Sequence, residues 1–182
     1  MAALCAWIRG VLTRCSGTPE KLSPSEAVTL SHWQRLLPGL WAGLLLGVAL
    51  LATPAPFATL LPSDAGRVVA RVLAQEAYTS LGVGIAVLVI ERVLARRGAA
   101  AGASQFSVGM VLALLALFCT VAGYFALQPL MAAARAGQGP LSFGQLHAAS
   151  AAFFVVKGLA VLALAWRAAA GSVRAAIRPP SS

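Results

Sequence analysis

Charge is scarce in this sequence. Only 10% of its 182 residues are charged, whereas 59% are hydrophobic. A soluble domain usually carries about 25% charged residues, because water has to solvate most of its surface. A soluble fold with so few charged side chains could not place charged groups over most of its surface. The deficit therefore excludes an ordinary soluble domain and indicates lipid as the solvent for most of the chain.

Cysteine and catalytic motifs are also sparse. The chain has three cysteines, Cys5, Cys15 and Cys119, an odd and scattered set that excludes a disulfide framework. No spacing of cysteine and histidine resembles a zinc site. The motifs GxSxG, HExxH, the P-loop and GxGxxG are absent as well. We therefore expect a protein that is not an enzyme and that binds no metal and no cofactor.

The charges that are present are mostly basic, with 14 Lys and Arg against 5 Asp and Glu and a formal net charge of +9. In a soluble chain this excess would suggest nucleic-acid binding. Here the basic residues lie beside long apolar runs, which is typical of topogenic charge and of attraction to anionic lipid. We expect the lipid bilayer as the partner, and no nucleic acid.

Four long apolar runs are present, and a membrane helix needs roughly 20 such residues. They predict an all-α fold, an integral membrane four-helix bundle at residues 35–167, with helices at about 36–53, 65–92, 106–129 and 143–167. Pro54 and Pro56 are expected to end the first helix, so that 53–63 forms a loop. Ser142 and Gln145 form a capping box that starts the fourth. Pro129 marks the end of the third helix or a kink in it.

Two segments flank this domain. Residues 1–34 form an N-terminal extension that is either an amphipathic surface segment or poorly ordered. Within it, Ser23, Pro24 and Glu26 predict a short helix from about Pro24 toward Leu37. Residues 168–182 form a basic cytoplasmic tail, and its end is expected to be disordered.

The positive-inside rule orients the bundle with both the N- and the C-terminus in the cytoplasm. The outer side then holds Arg67, Arg71 and Arg135. The inner side holds a larger set: Arg9, Arg14, Lys21, Arg35, Arg92, Arg96, Arg97, Arg167, Arg174 and Arg178. In this orientation Trp33, Trp41 and Trp166 all fall near the inner interface, which indole rings prefer.

Polar residues weaken the second span and suggest a site. Its outer third carries Arg67, Arg71, Gln75 and Glu76, and Lys157 lies mid-way along the fourth helix. Ionisable groups within a membrane are costly and point to function. We hypothesise a partly hydrated pocket in the outer half of the membrane that binds a small polar molecule or relays protons or ions. Its candidate residues are Glu76, Tyr124, Gln128, His147 and Lys157.

Two questions about this cluster stay open at this stage. The depths of Glu76 and Lys157 permit an ion pair between them but do not require one. The polar groups near helix ends can also simply reach the interface, and Lys157 can extend toward water or bond a backbone carbonyl.

A second candidate feature is a row of glycines. Gly39, Gly43 and Gly47 lie four residues apart on the first helix, where they form a smooth stripe that allows a neighbouring backbone to approach. The stripe predicts a helix-packing face, either within the chain or between chains. It suggests a function other than solute or ion binding, namely that of a structural or assembly partner of another membrane protein. A contact between two copies of this chain, in a homo-oligomer, would use the same face.

Four short motifs carry a family resemblance: Leu40-Trp41-Ala42-Gly43, Pro54-Ala55-Pro56-Phe57, Ala65-Gly66-Arg67-Val68 and Leu146-His147-Ala148-Ala149-Ser150. Their order, over about Arg35–Arg167, resembles a bacterial family of inner-membrane proteins, domain of unknown function 4149, which is similar to TMEM-205-like proteins. The resemblance implies a multi-pass four-helix domain in the bacterial inner (cell) membrane. It implies no assigned reaction and no catalytic residues. The sequence departs from the family pattern near Leu73–Ala74, where the resemblance implies a bulky aromatic residue and this chain has none.

Overall fold

The computed structural model describes residues 24–100 and 106–177, with side chains at 28–96 and 106–171. Every regular element in these ranges is helical, so the predicted all-α class is confirmed. The residues before 24 and after 177 lie outside the described residues, and with them most of the predicted extension and the end of the tail. The helices are α1 (Pro24–Gly47), α2 (Ala55–Thr59), α3 (Pro62–Ala100), α4 (Val108–Thr120), α5 (Leu127–Arg135) and α6 (Phe143–Ile177).

Four stretches in the described part of the chain are long and apolar enough to cross a membrane, as expected for a multi-pass membrane protein. We call them the first to fourth spans: Val28–Thr59, Pro62–Arg96, Val108–Arg135 and Phe143–Gly171. The most apolar 18-residue stretch of the second span has the lowest mean hydropathy, 1.6 against 2.0 to 2.3 for the other spans.

Two turns of π-helix interrupt the spans, and each precedes a proline. Val48–Ala52 comes before Pro54, and Val121–Ala126 comes before Pro129. A proline donates no backbone hydrogen bond, and its ring crowds the carbonyl four residues earlier. A widened turn at this position relieves the crowding. The third span therefore continues through Pro129 to Arg135 and does not end at 129.

The first span shows the same effect. The backbone N–H of Thr53 donates to the Val48 carbonyl at 2.9 Å, five residues back, and the Thr53 hydroxyl donates to the same oxygen at 2.8 Å. The expectation that 53–63 is a loop is wrong for Ala55–Thr59, which forms α2. Pro54 and Pro56 lie at the start of α2. Proline is compatible with the first turn of a helix, because the backbone N–H groups of that turn have no partner within the helix.

Three other boundaries differ from the expected ones. α1 begins at Pro24 and continues without a break through the buried Pro38, so the expected short helix and the first membrane helix are one element. α3 begins at Pro62 rather than at 65. α6 continues to Ile177, ten residues beyond 167, into the region expected to be tail.

The predicted capping box at the start of α6 is confirmed. The Ser142 backbone N–H donates to Gln145 Oε1 at 3.0 Å, and the Gln145 N–H donates to Ser142 Oγ at 3.3 Å. At the start of α4 the Met110 N–H donates to Ser107 Oγ at 3.1 Å. These caps satisfy backbone donors that have no partner within the helix.

From Gln34 onward the chain forms one compact unit. Its core is made of small and branched residues around one indole ring. The buried members are Trp41, Ala42, Leu45, Val87, Ala113, Ala116, Ala160, Val161 and Leu164. A Cβ atom on Gly84 would lie 2.7 Å from Leu117 Cδ2 and 3.0 Å from the Trp41 ring. Glycine at 84 therefore gives the ring its space.

The position of Trp41 corrects an expectation. Its side chain is only 1% exposed, so the ring packs in the core of the bundle and does not face lipid headgroups. Because successive spans run in opposite directions, the bundle has two ends. We call the end with Gln34, Glu91 and Trp166 the Glu91 end, and the end with Arg135 and Phe143 the Arg135 end.

Candidate functional site: a buried ion pair between the second and fourth spans

Glu76 and Lys157 form an ion pair inside the bundle. Glu76 lies on α3 and is 4% exposed, and Lys157 lies on α6 and is 3% exposed. Lys157 Nζ is 2.8 Å from Glu76 Oε1 and 2.9 Å from Oε2, so one ammonium group donates to both carboxylate oxygens. The sequence permitted this pair, and the fold forms it.

Two further side chains complete a network around the carboxylate. Ser80, one turn along α3 from Glu76, donates its hydroxyl hydrogen to Glu76 Oε1. The Trp41 indole N–H on α1 donates to Ser80 Oγ at 2.9 Å. Lys157 Nζ also lies 4.7 Å from the centre of the Phe154 ring, a cation–π distance. The network thus ties the first, second and fourth spans together.

The electrostatics favour a closed, neutral unit. An isolated charge in the hydrocarbon region is costly, and removing two charges from water is offset only when they pair with good geometry and their other hydrogen bonds are made. Here the two charges cancel. No buried side-chain nitrogen or oxygen among the described residues lacks a hydrogen-bond partner. The pair can share or exchange a proton along its hydrogen bonds, but it presents no unsatisfied group to a ligand.

The other three candidate residues lie elsewhere. The half-buried Tyr124 packs its ring edge to face against Phe125, with ring centres 5.1 Å apart. His147 is exposed and stacks on Phe143 at 5.8 Å, with the Arg135 guanidinium 4.5 Å from the same ring. This stack belongs to the Arg135 end of the bundle.

Depth along the helices separates His147 and Gln128 from the ion pair. His147 precedes Lys157 by ten residues on α6, about 15 Å at ~1.5 Å per residue. Gln128 is half-buried on α5, one turn beyond Tyr124 and toward the Arg135 end. The structure thus brings Glu76 and Lys157 together and does not join Tyr124, Gln128 or His147 to them. The role of the five residues as a solute site stays a prediction.

The second π-helical turn, Val121–Ala126, exposes the carbonyl group of Gly123 to α6. Ser150 Oγ on α6 donates to the Gly123 carbonyl at 2.8 Å, which satisfies an oxygen that the widened turn frees. A Cβ atom on Gly123 would lie 2.6 Å from the Phe153 side chain, so glycine is needed at this approach.

Glu91 is a second inward carboxylate, and sequence reasoning missed it. It is half-buried at the Glu91 end. Gln34 Nε2 donates to its Oε1 at 2.8 Å, and Ser107 Oγ donates to its Oε2 at 2.8 Å. Gly109, whose added Cβ would collide with this carboxylate, lets it approach the N-terminus of α4, where the helix dipole favours negative charge. Ser107, at the cap position, was the one available signal.

Ser80 and Trp41 were missed for different reasons. Ser80 is four residues after Glu76, a spacing that places both on one helix face, so this contact was accessible from the sequence. Trp41 lies among apolar residues on every side of α1, and nothing in that pattern indicated which face turns inward.

The predicted glycine stripe faces away from the core. Gly39 and Gly43 are exposed, Gly47 is half-buried, and a Cβ atom added to any of the three would meet nothing within 4 Å. At ~100° per residue the stripe centres about 200° around α1 from Trp41. It is therefore not used for packing within the described part of the chain.

A separate apolar groove lies between the first and fourth spans. Its volume is about 200 Å³, and every residue that lines it is apolar. The lining residues include Ala42, Leu45 and Ala49 on α1 and Phe154, Gly158 and Leu162 on α6. The groove is distinct from the glycine stripe, because Ala42, Leu45 and Ala49 lie on the side of α1 between the stripe and the core.

Among the side chains that the structure describes, at 28–96 and 106–171, no group of three or more His, Cys, Asp or Glu is placed to hold a metal ion. The described part of the chain offers an ion pair, an exposed helix face and an apolar groove.

Comparison with known proteins identifies the family. The family model described as Domain of unknown function (DUF4149) matches residues 36–140, more than half of the chain, so the chain belongs to this family. The match covers the first span from residue 36 onward, the whole second and third spans and Glu76, and it ends before α6 and Lys157. No curated protein and no solved structure matches the chain.

Proposed function

We propose that this member of the DUF4149 family is a non-catalytic assembly protein of the membrane, and that it docks a transmembrane helix of another membrane protein on its first span. The observation that carries this proposal is the exposed glycine stripe, Gly39, Gly43 and Gly47, against which nothing packs within 4 Å. The proposed setting is the bacterial inner membrane, with both termini in the cytoplasm.

The physics of helix association in lipid supports a helix as the occupant. Lipid tails are as apolar as leucine, so burying more apolar surface gains little, and association depends on close van der Waals packing. Glycines four residues apart remove the side chains that keep two backbones apart. The stripe has no polar or charged member, so it suits another apolar helix with small residues rather than a polar solute.

A second candidate function, the binding or passage of a small solute or ion, rests on the Glu76–Lys157 pair. Ionisable groups buried in a span are a functional signal, and a carboxylate and an amine in contact can exchange a proton. The closed hydrogen bonding of the pair favours this candidate less. Protein reconstituted into vesicles, with a proton gradient followed by a pH-sensitive dye, tests it. A wild-type flux no larger than that of Glu76→Gln would remove the candidate.

The assembly proposal is tested by disrupting the stripe. Gly43→Leu adds a bulky side chain to the exposed face without touching the core, because nothing lies within 4 Å of the added Cβ. We expect tagged wild-type protein, purified from native membranes in mild detergent, to retain a membrane protein that mass spectrometry identifies. Gly43→Leu and Gly39→Leu should both lose it.

The matched control is Gly82→Leu on α3, where a Cβ atom likewise meets nothing within 4 Å. It should keep the partner. Loss of the partner in all three variants, or in none, would contradict a specific role of the stripe. Retention of a second copy of this chain alone, sensitive to Gly43→Leu, would replace the proposed partner with a homo-oligomer.

A further inference from the structure

We propose that the groove between the first and fourth spans is a binding site for one anionic phospholipid, with an acyl chain in the groove and the phosphate at the Glu91 end. This site is separate from the glycine stripe and does not depend on the proposed assembly function. The occupant follows from the apolar lining of the groove and from the charged and aromatic residues at one end of it.

The groove is short and open on one side. From Ala42 to Ala49 the α1 wall is about 10 Å long at ~1.5 Å per residue, and the groove has a volume of about 200 Å³. An extended hydrocarbon chain is a slender apolar component that a membrane supplies, and part of one acyl chain can lie along a wall of this length.

The lining agrees with a hydrocarbon occupant. Every residue around the groove is apolar, so a polar solute would find no hydrogen-bond partner there. Gly158 leaves open space on the α6 wall, because a Cβ atom at this position would meet nothing within 4 Å. A continuous apolar wall with a missing side chain at its centre suits a chain of methylene groups.

The Glu91 end of the groove suits a phosphate. Arg35 lies two turns before Ala42 on α1, and residues seven apart share one face of a helix. It is exposed, and no ion pair or hydrogen bond to another described residue occupies its side chain. An arginine fork binds phosphate oxygens in a bidentate manner.

An indole stands on the opposite wall. Trp166 lies one turn beyond Leu162 on α6 and is 78% exposed, so its N–H is available at headgroup level, where tryptophan prefers to sit. The guanidinium on α1 and the indole on α6 thus flank the end of the same groove.

The local charge favours an anionic headgroup. Arg167 is also exposed at this end. Glu91, the one carboxylate described there, already accepts hydrogen bonds from Gln34 and Ser107. The ammonium group of a phosphatidylethanolamine would face this positive charge, whereas phosphatidylglycerol carries no positive group.

The experiment uses the full chain in detergent micelles that contain equal amounts of phosphatidylglycerol and phosphatidylethanolamine, with bound lipid measured by native mass spectrometry. We expect wild type to retain one phosphatidylglycerol. Gly158→Leu, which fills the groove, should lose it, and Ala49→Leu provides the same test from the other wall. Gly43→Leu, the same substitution on the glycine stripe, is the matched control and should keep the lipid.

The headgroup contact has its own variant. Arg35→Gln should reduce the preference for phosphatidylglycerol roughly tenfold, the change expected when one charge-assisted contact is removed. Arg92→Gln, an exposed arginine on α3 at the same end, should leave the preference unchanged. Circular dichroism and gel filtration of each variant establish that it is folded.

Three results would overturn the proposal. The first is a wild-type protein that retains no lipid or retains both headgroups equally. The second is folded Gly158→Leu or Ala49→Leu protein that binds lipid as well as wild type does. The third is a wild-type dimer that Gly158→Leu converts to a monomer, because a second copy would then occupy the groove.

Discussion

Glu76 and Glu91 lie on the same helix, about 22 Å apart along its axis at ~1.5 Å per residue. Glu76 is almost fully buried and is held by an ammonium group and a hydroxyl. Glu91 is half-buried and is held by an amide and a hydroxyl beside the N-terminus of α4. Depth explains the difference. Far from water a carboxylate needs a countercharge, whereas near the end of a bundle neutral donors and a helix dipole suffice.

The largest expected effect comes from breaking the ion pair. Glu76→Gln leaves the Lys157 ammonium buried without its countercharge, and removing one partner of a buried pair costs about 3–5 kcal/mol. We expect a loss of stability of this size in reversible unfolding measured in mixed micelles. Adding Lys157→Met to the same protein should restore most of it, since no uncompensated charge then remains.

The double variant decides the interpretation of this result. If Glu76→Gln/Lys157→Met is no more stable than Glu76→Gln, then the unpaired charge is not the cause of the loss. If Glu76→Gln is as stable as wild type, the pair contributes nothing to the bundle.

An intermediate effect is expected at Ser80, whose hydroxyl connects Glu76 to Trp41 on the first span. Ser80→Ala removes the acceptor of the Trp41 N–H and one donor to Glu76, and a buried group left unsatisfied costs about 1–3 kcal/mol. Tryptophan fluorescence and unfolding in mixed micelles measure the change. Thr79→Ala is the control, because the exposed Thr79 hydroxyl bonds only the Gln75 carbonyl of its own helix in the described structure. An equal loss at Thr79 would show that the Trp41 link is unimportant.

The smallest effect is expected from the same substitution at the second carboxylate. Glu91→Gln keeps one oxygen as an acceptor and leaves no buried cation behind, so only the charge at the N-terminus of α4 is lost, about 1 kcal/mol or less. The unfolding measurement used for Glu76→Gln allows a direct comparison. If the two substitutions cost the same, depth does not distinguish the two carboxylates.

Much of the fold was accessible from the sequence, and particular residues show why. The apolar stretches without charge predicted the spans, and the capping box of Ser142 and Gln145 predicted the start of α6. Each of these signals lies within one short segment of the chain. The π-helical turns were not predicted. Pro54 and Pro129 indicated that a helix is disturbed, but whether it ends or widens depends on the packing of the neighbouring spans.

The candidate site was predicted only in part. Glu76 and Lys157 were identified because charge is conspicuous in an apolar run. Tyr124, Gln128 and His147 were grouped with them as polar residues of the same half of the membrane, which is too coarse a criterion, because His147 alone lies ten residues, about 15 Å, from Lys157 along α6. The structure separates them, and it adds Ser80 and Trp41.

The sequence by itself determined that the chain forms membrane-spanning helices. In hydrocarbon each backbone must satisfy its own hydrogen bonds, so length and apolarity within one segment are sufficient evidence. The tertiary structure alone decided which face of each helix meets the bundle. On α1 the core-facing Trp41 and Leu45 and the lipid-facing Leu40 and Leu44 are all apolar. Lipid and protein interior select the same residue types, so only the packed bundle distinguishes the inner face from the outer one.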